Sequence, residues 1–369
     1  MSEIYYGRNE TRQNQKFERI CILVLGMHRS GTSVITRAIS LLGAELPKNV
    51  LPATMDNESG FWEPARLVDL HDRMLAECGS RWDDWRKFDL TALGAERIAF
   101  YKSELKRLIL EEYEDAPLFV LKDPRICRFV PLYEEVLSEI GVECRFVLTC
   151  RNPLAVMASL HKRDGMAEAN AALIWLRHVL DAVAATQGRR RAFLSYETLL
   201  DDCTGSIVHL SKCLGVTWPK EQNSAASDVR NSLRRDLQHH QRDKADLNNR
   251  ADFPSWMADI YNALCALATK EESAKPLASI SEIRAVFDQS SRLFGSAFHR
   301  EAQAREHQLQ DTLTGTRAKL EAVENLISAE RQARQAASLE ISAIQNTVSW
   351  RITRPLRIVQ KARIARRFG

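Results

Sequence analysis

Residues 26–33 read GMHRSGTS, which sets Arg29 and the hydroxyls of Ser30, Thr32 and Ser33 among Gly26 and Gly31. These are the parts of an anion cradle. Glycines let successive backbone N–H groups converge on one point, the hydroxyls add donors, and the arginine adds a permanent, fork-shaped cation. The stretch follows the apolar run Ile20–Leu25 and precedes a segment whose apolar face includes Ile35, Ile39 and Leu42. Strand, glycine-bounded loop and helix together aim the free amides of a helix N-terminus at the same anion. A nucleoside-triphosphate loop reads GxxxxGK[ST], whereas Thr32 stands here in the lysine position and no clear acidic strand end could hold magnesium. A nucleotide-dependent kinase is therefore the weaker reading, and a plain glycine turn is the bland one.

A second set of residues lies in CRNPLAVMAS, Cys150–Ser159. Asn152 is a good N-cap and Pro153 is preset for a first helical turn, so a helix starts there with Arg151 at the end of the preceding strand. Ser159 then lies roughly 9 Å along the helix axis. Its hydroxyl and Arg151 can converge on a further phosphate if that helix folds back along the sheet; taken alone, Arg151 reads equally as a surface arginine. In LKDPR, Leu121–Arg125, Lys122 ends an apolar run and offers another cation to the same crevice.

Carboxylates and imidazoles near these cations are candidate proton acceptors. Glu63 is the leading candidate, in a segment expected to open a helix, where the alternative is an ordinary acidic residue favoured by the helix dipole. Asp123 is the second candidate, or else it orients Arg125 or caps a turn. His71 falls two turns along the Glu63 helix, too far away, and His28 reads as a packing or hydrogen-bonding residue. His239 and His240 have no accompanying ligand cluster, so no metal is expected. Arg234 and Arg235 either close over a nucleotide or form a solvated basic turn.

Together, HRSGTS after the first strand and RNPLAVMAS after a later one resemble the sulfotransferases that use 3′-phosphoadenosine 5′-phosphosulfate (PAPS). In that family the first loop binds the 5′-phosphosulfate, and an arginine followed eight residues later by a serine binds the 3′-phosphate. Arg151 and Ser159 match that spacing, while Arg29 stands for the family's usual first-loop lysine. ESGFWEP (Glu58–Pro64), LKDPR and YETLLDD (Tyr196–Asp202) are similar to segments of bacterial and carbohydrate sulfotransferases, so the resemblance spans roughly residues 20–240. It implies PAPS as co-substrate, bound by Arg29, Ser30, Gly31, Thr32, Ser33, Arg151, Ser159 and Tyr196. It also implies a carbohydrate acceptor, Glu63 as catalytic base, and Arg29 and Lys122 as catalytic cations.

The elements that must hold these residues follow from the apolar pattern. ICILVL (Ile20–Leu25), LFVL (Leu118–Leu121), CRFVLT (Cys144–Thr149) and AFLSY (Ala192–Tyr196) have strand length and composition, with helical segments between them. That alternation predicts an α/β domain, a P-loop-like parallel sheet flanked by helices, with ligands at the carboxyl ends of the strands. The expected organisation is a polar arm over 1–19, this domain over 20–275, a helical, coiled-coil extension over 279–348 and a basic amphipathic tail over 349–369. Residues 220–255 read as a polar loop or connector, with a helix resuming near Trp256. From Leu309 the apolar steps alternate four and three through Leu313, Leu320, Val323, Ile327, Ala337, Ile341, Ile344 and Val348. Thr316, Glu330 and Arg334 interrupt that seam. A coiled coil is the first reading, and one helix lying on its own domain is the second.

No apolar run exceeds about six residues, too few to span a membrane. Eight cysteines form no CxxC pair, so Cys21, Cys127, Cys144 and Cys150 read as reduced, mostly buried thiols. The first residues lack the layout of a secretion signal and Ser2 is not a myristoylation site, so a cytoplasmic protein is expected. The net charge of +4 is the difference between 52 basic and 48 acidic residues. Seven of the basic ones, from Arg351 to Arg367, follow Trp350 with no acidic residue among them, which leaves −3 for the rest of the chain. Interleaved with Ile352, Leu356, Ile358, Val359 and Ile364, they suit an anionic membrane surface. SWRITRPLR resembles the ending of many bacterial polysaccharide glycosyltransferases, which implies a peripheral place on the inner membrane face, polysaccharide-assembly partners, and a lipid-linked or surface polysaccharide as acceptor. A homo-oligomer through the coiled coil is expected and nucleic acid is not. The rival readings are a solvated basic terminus for the tail and, for the chain, an inactive scaffold acting through its coiled coil.

Overall fold

A computed structural model describes residues 19–54, 60–236, 247, 250, 253–269 and 272–368. The expected polar arm apart from Arg19, together with Glu58, Ser59, His239 and His240, lies outside the described residues, as do the side chains of Arg234 and Arg235.

In chain order the elements are β1 (Arg19–Leu25), α1 (Thr32–Leu41), α2 (Ala65–Glu77), α3 (Ala95–Tyr113), β2 (Leu118–Lys122), α4 (Val130–Glu139) and β3 (Val142–Cys150). They continue through α5 (Pro153–Asp164), α6 (Glu168–Ala185), β4 (Arg191–Ser195), α7 (Tyr196–Asp201), α8 (Cys203–Leu214), α9 (Gln222–Asp236) and α10 (Trp256–Thr269). The strands form one sheet in the order β2-β1-β3-β4, and every pairing is parallel. β1 shows why its sequence is apolar throughout. Cys21, Leu23 and Leu25 enter the core on one face, with Leu67 and Leu70 of α2 and Trp175 of α6. Ile22 and Val24 enter the core on the other, with Ile35 and Ile39 of α1 and Leu210 and Leu214 of α8. A strand covered on both faces cannot alternate apolar with polar residues.

The strand order positions the site. From β1 the chain moves to β2 on one side and later returns to β3 on the other, so the connections leaving β1 and β3 diverge above adjacent strand ends. Such a reversal opens a crevice at the carboxyl edge of a parallel sheet.

Two local expectations need correction. Glu63 precedes α2 rather than opening it, because Pro64 is extended (φ −69°, ψ 114°) and a residue before proline is driven out of the helical region. The polar stretch after residue 220 is not all connector: α9 is helical, with Ala225, Ala226 and Val229 buried against the α1 and α8 side of the sheet.

Beyond α10 comes a continuous helix, α11 (Ala274–Gln345), then α12 (Val348–Ile352) and α13 (Arg354–Phe368). The chain forms two compact units, Met1–Ser296 and Ala297–Gly369. Within the first, the start of α11 buries Ile280, Ile283 and Phe287, and Asp288 Oδ1 accepts from Arg177 Nη1 at 2.7 Å. Within the second, Thr347 caps α12 through the Trp350 amide, and the Arg357 guanidinium lies 3.6 Å from the Trp350 ring centroid. Among the described residues no helix is long and apolar enough to cross a membrane. None of the eight cysteines is in a disulfide, and Cys21, Cys127 and Cys150 are buried and Cys144 half-buried.

Candidate active site

β1 ends at Leu25 and the chain turns through residues 26–31 into α1. Two positions in this turn demand glycine. A Cβ on Gly26 would sit 2.0 Å from Thr149 Oγ1 at the end of β3, and one on Gly31, where φ is 82°, would sit 2.6 Å from the Tyr196 ring. Arg29 also has a positive φ, 67°. An L-residue in that region costs about 1 kcal/mol, so the loop holds its arginine in a conformation that it would not choose alone. Gly31 caps α1 without a side-chain bond, and the first turn of α1 carries no acidic residue. The amides of a helix N-terminus therefore face the loop with no acidic residue in their own turn.

The two sequence motifs meet at this turn. Arg29 Nε donates to Ser159 Oγ at 2.8 Å. Arg151 Nη1 donates to the carbonyl oxygen of Arg29, also at 2.8 Å. The Arg151 guanidinium in turn lies 4.7 Å from the centroid of the Tyr196 ring, which packs on Gly31. Five residues proposed from sequence, drawn from three separate segments, thus form one connected surface. Asn152 supports it as the expected N-cap, its Oδ1 accepting from Leu154 N at 3.0 Å. Its own amide donates to Glu197 Oε1 at 3.2 Å, tying the turn after β3 to the turn after β4.

Lys122 and Glu63 meet beside this surface. Lys122 ends β2 and donates from Nζ to Glu63 Oε1 at 2.5 Å and to Ser33 Oγ at 3.1 Å. Ser33 Oγ donates onward to the carbonyl oxygen of Phe61 at 3.3 Å. Both members of the ion pair are buried. Burial pushes the Glu63 carboxyl above its ordinary range; the Lys122 cation opposes that push and the nearby Asp123 charge adds to it.

Asp123 is placed differently. Its Oδ1 accepts from the Arg125 amide and Nη1, each at 3.0 Å, and its Oδ2 lies 2.7 Å from His71 Nδ1. Burial alone would raise this carboxyl, but Arg125 and His71 outweigh it and hold the group well below the usual carboxylate range. With both oxygens engaged and the proton held off, Asp123 orients Arg125, which also grips Asp72 at 2.6 and 3.0 Å. His71, expected to be too far away, bridges Asp123 to the Tyr133 hydroxyl, 2.8 Å from its Nε2. Sequence reasoning missed this assembly, although Leu67, His71 and Met74 share one buried face of α2 at helical spacing.

Four buried polar atoms around the loop have no hydrogen-bond partner among the described residues: His28 Nε2, Ser30 Oγ, Trp62 Nε1 and Thr149 Oγ1. Each such atom left unpaired costs about 1–3 kcal/mol, so their grouping here marks a place suited to a polar ligand. Trp62 has a φ of 58°, and the Arg37 guanidinium lies 5.1 Å from its ring centroid. His28 meets Trp82 edge-on at 4.8 Å and His178 at 6.4 Å. Burial, helped by Arg125, pushes His28 well below its ordinary value. Burial likewise pushes His178 down to about 3. Both imidazoles are therefore neutral at pH 7. Arginines, a lysine, hydroxyls and helix amides in this arrangement suit a ligand that carries more than one phosphate-like group.

No family model and no curated protein sequence matches the chain. Among solved structures it is similar to the sulfotransferase domain of the Synechococcus PCC 7002 olefin synthase, at 17% identity over 74% of this chain and 96% of that one, with a TM-score of 0.35. It is also similar to the sulfotransferase STF9 from Mycobacterium avium, at 15% identity over 61% of this chain and 70% of that one, with a TM-score of 0.38. Likeness at this level assigns no chemistry to the chain.

Proposed function

We propose that this chain transfers a sulfuryl group from PAPS to a carbohydrate hydroxyl. The observation that carries the reading is the contact between Arg29 and Ser159, which joins the loop after β1 to the Arg151–Ser159 helix in one polar surface. A donor with a phosphosulfate at one end and a 3′-phosphate at the other needs two anion sites fixed in register. The turn through Ser30, Gly31, Thr32 and Ser33, with Arg29, offers the first. Arg151 and Ser159 offer the second: the serine oxygen that accepts from Arg29 still has its own hydrogen to donate. Tyr196, packed between Gly31 and Arg151, holds the loop and the arginine in place beside the nucleotide.

The donor, when bound, supplies an electrophilic sulfur and a bisphosphate leaving group. The acceptor oxygen forms a bond to that sulfur as the sulfur–oxygen bond to the 5′-phosphate breaks, and the acceptor proton passes to Glu63. A carboxylate whose proton affinity is raised by burial is the better base for a hydroxyl. Lys122, hydrogen-bonded to both Glu63 and Ser33, orients that base and stands ready as a cation for the leaving phosphate. Arg29 adds a second cation.

The acceptor we propose is a surface or lipid-linked polysaccharide, reached from the inner membrane face. The support is the basic tail, in which Ile352, Leu356, Ile358, Val359 and Ile364 are exposed beside the arginines. Incubation with sulfur-labelled PAPS and candidate glycans tests the reading: label enters glycan with the wild-type chain and not with Glu63→Gln. Absence of transfer to every hydroxyl acceptor, together with tighter binding of ATP than of adenosine 3′,5′-bisphosphate, would count against it.

A further inference from the structure

The part of α11 that lies in the second compact unit carries an aliphatic stripe that is exposed among the described residues. Leu320, Val323, Ile327, Ile341 and Ile344 are each 44–58% exposed, although they recur at alternating steps of three and four along one helix face. Most helical stability in proteins comes from packing of an apolar face, and steps averaging 3.5 residues fit a seam that closes against another helix. Thr316 does not spoil the stripe, because its hydroxyl donates to the Thr312 carbonyl oxygen and its methyl group stays available. The two charged interruptions, Glu330 and Arg334, are of opposite sign, lie four residues apart, and are exposed on the same face.

We infer that α11 pairs with α11 of a second copy of this chain as an antiparallel coiled coil, in the register that sets Glu330 opposite Arg334 of the second copy. The two-fold axis repeats that pair, so both charged interruptions are neutralised at the centre of the seam. The same register makes the three layers that flank the charged pair apolar: Ile327 faces Ala337, Val323 faces Ile341, and Leu320 faces Ile344. Sliding the helices by one heptad brings Glu330 against an isoleucine, Ile327 or Ile341, and buries an unpaired charge. A parallel, in-register pair sets Glu330 against Glu330 and Arg334 against Arg334. It would also bring together two tails that each carry seven positive charges and no negative one between Arg351 and Gly369. In the antiparallel pair the two Ile344 positions stand roughly 36 Å apart at 1.5 Å per residue, several screening lengths in physiological salt. A buried polar pair that fixes register is the best-attested use of charge in such seams.

The full-length chain serves for the test. Light scattering should report a dimer, and a monomer at micromolar concentration overturns the inference, including the case in which α11 binds only some other protein. Leu320→Cys and Ile344→Cys chains, oxidised after mixing and subunit exchange, should give a cross-linked dimer that neither variant gives alone. The parent chain is the control for the native cysteines, which all lie between residues 21 and 265. Self-cross-linking of either variant alone means a parallel pair and overturns the orientation. Arg334→Glu should weaken the dimer about tenfold or more, and Glu330→Arg added to it should restore the dimer. Equal dimer strength in all three chains overturns the register. Sulfuryl transfer by these variants is a separate readout, so failure of the dimer and failure of the proposed reaction are distinguishable.

Discussion

Arg29 Nε and Ser159 Oγ are 2.8 Å apart although 130 residues separate them in the chain. That contact draws the turn after β1 and the helix after β3 into one surface, and it places the Arg29 carbonyl oxygen where Arg151 can donate to it.

Replacing Arg151 and Ser159 together with alanine should therefore weaken binding of adenosine 3′,5′-bisphosphate roughly a hundredfold, at about 1.5 kcal/mol for each charged hydrogen bond. Calorimetry measures this, with circular dichroism to show that the fold persists. Transfer at the wild-type rate by the double variant would remove both residues from the site.

Glu63→Gln should lower kcat by about 10²–10⁴-fold, the usual contribution of a positioned base, with little change in nucleotide affinity. Because burial raises the Glu63 carboxyl, its base form disappears as pH falls through that raised value. The wild-type kcat/KM profile should thus show an acid limb above the ordinary glutamate range, and the residual activity of the variant should lack it.

Gly31→Ala should destabilise the protein by about 1–3 kcal/mol, since it adds backbone strain at φ 82° to a collision with the Tyr196 ring. Gly79→Ala is the matched control: φ is 63° there, but an added Cβ meets nothing within 4 Å. Urea unfolding should give the larger loss for Gly31, and nucleotide binding should fail only there.

Acid should destabilise the fold from about pH 6.5 downward. The unfolded chain binds protons at His28 and His178 near the ordinary histidine value, while the folded chain refuses them, in the case of His178 until about 3. The stabilisation is complete above the unfolded value and is lost as pH falls, at about 1.4 kcal/mol per pH unit for each histidine. Unfolding free energies at pH 7.5, 6.0 and 5.0 measure the slope, and His178→Leu should flatten it.

The tail should bind vesicles that contain anionic lipid and ignore neutral ones. Replacing Arg354, Lys361 and Arg363 with glutamine should remove about 3 kcal/mol of that affinity, at about 1 kcal/mol per charge. Cosedimentation in low and high salt checks both statements. Equal binding to neutral and anionic vesicles would exclude an electrostatic anchor.

The sheet and the turns after β1 and β3 were legible because their signals are local. An apolar run, a glycine pair and an Asn-Pro cap each announce themselves within ten residues, and all four strands appear where their runs predict. The polar interior was less legible. His71 lies 52 residues from Asp123 and 62 from Tyr133 along the chain, and nothing in LKDPR states that both oxygens of Asp123 are engaged. α9 escaped notice because Ala225, Ala226 and Val229 are too few and too small to impose a period on a polar segment. Glu63 was expected to open a helix but precedes it, since its proline neighbour delays the helix.

β1 is paired on both edges by strands made later, β2 from residue 118 and β3 from residue 142. A ribosome therefore releases Ile20–Leu25 with neither neighbour available. At ordinary synthesis rates that interval lasts roughly ten seconds, during which a bare aliphatic strand must be kept from other nascent chains. The layout that brings the turns after β1 and β3 together thus also leaves β1 without its sheet partners until residues 118–150 have been made.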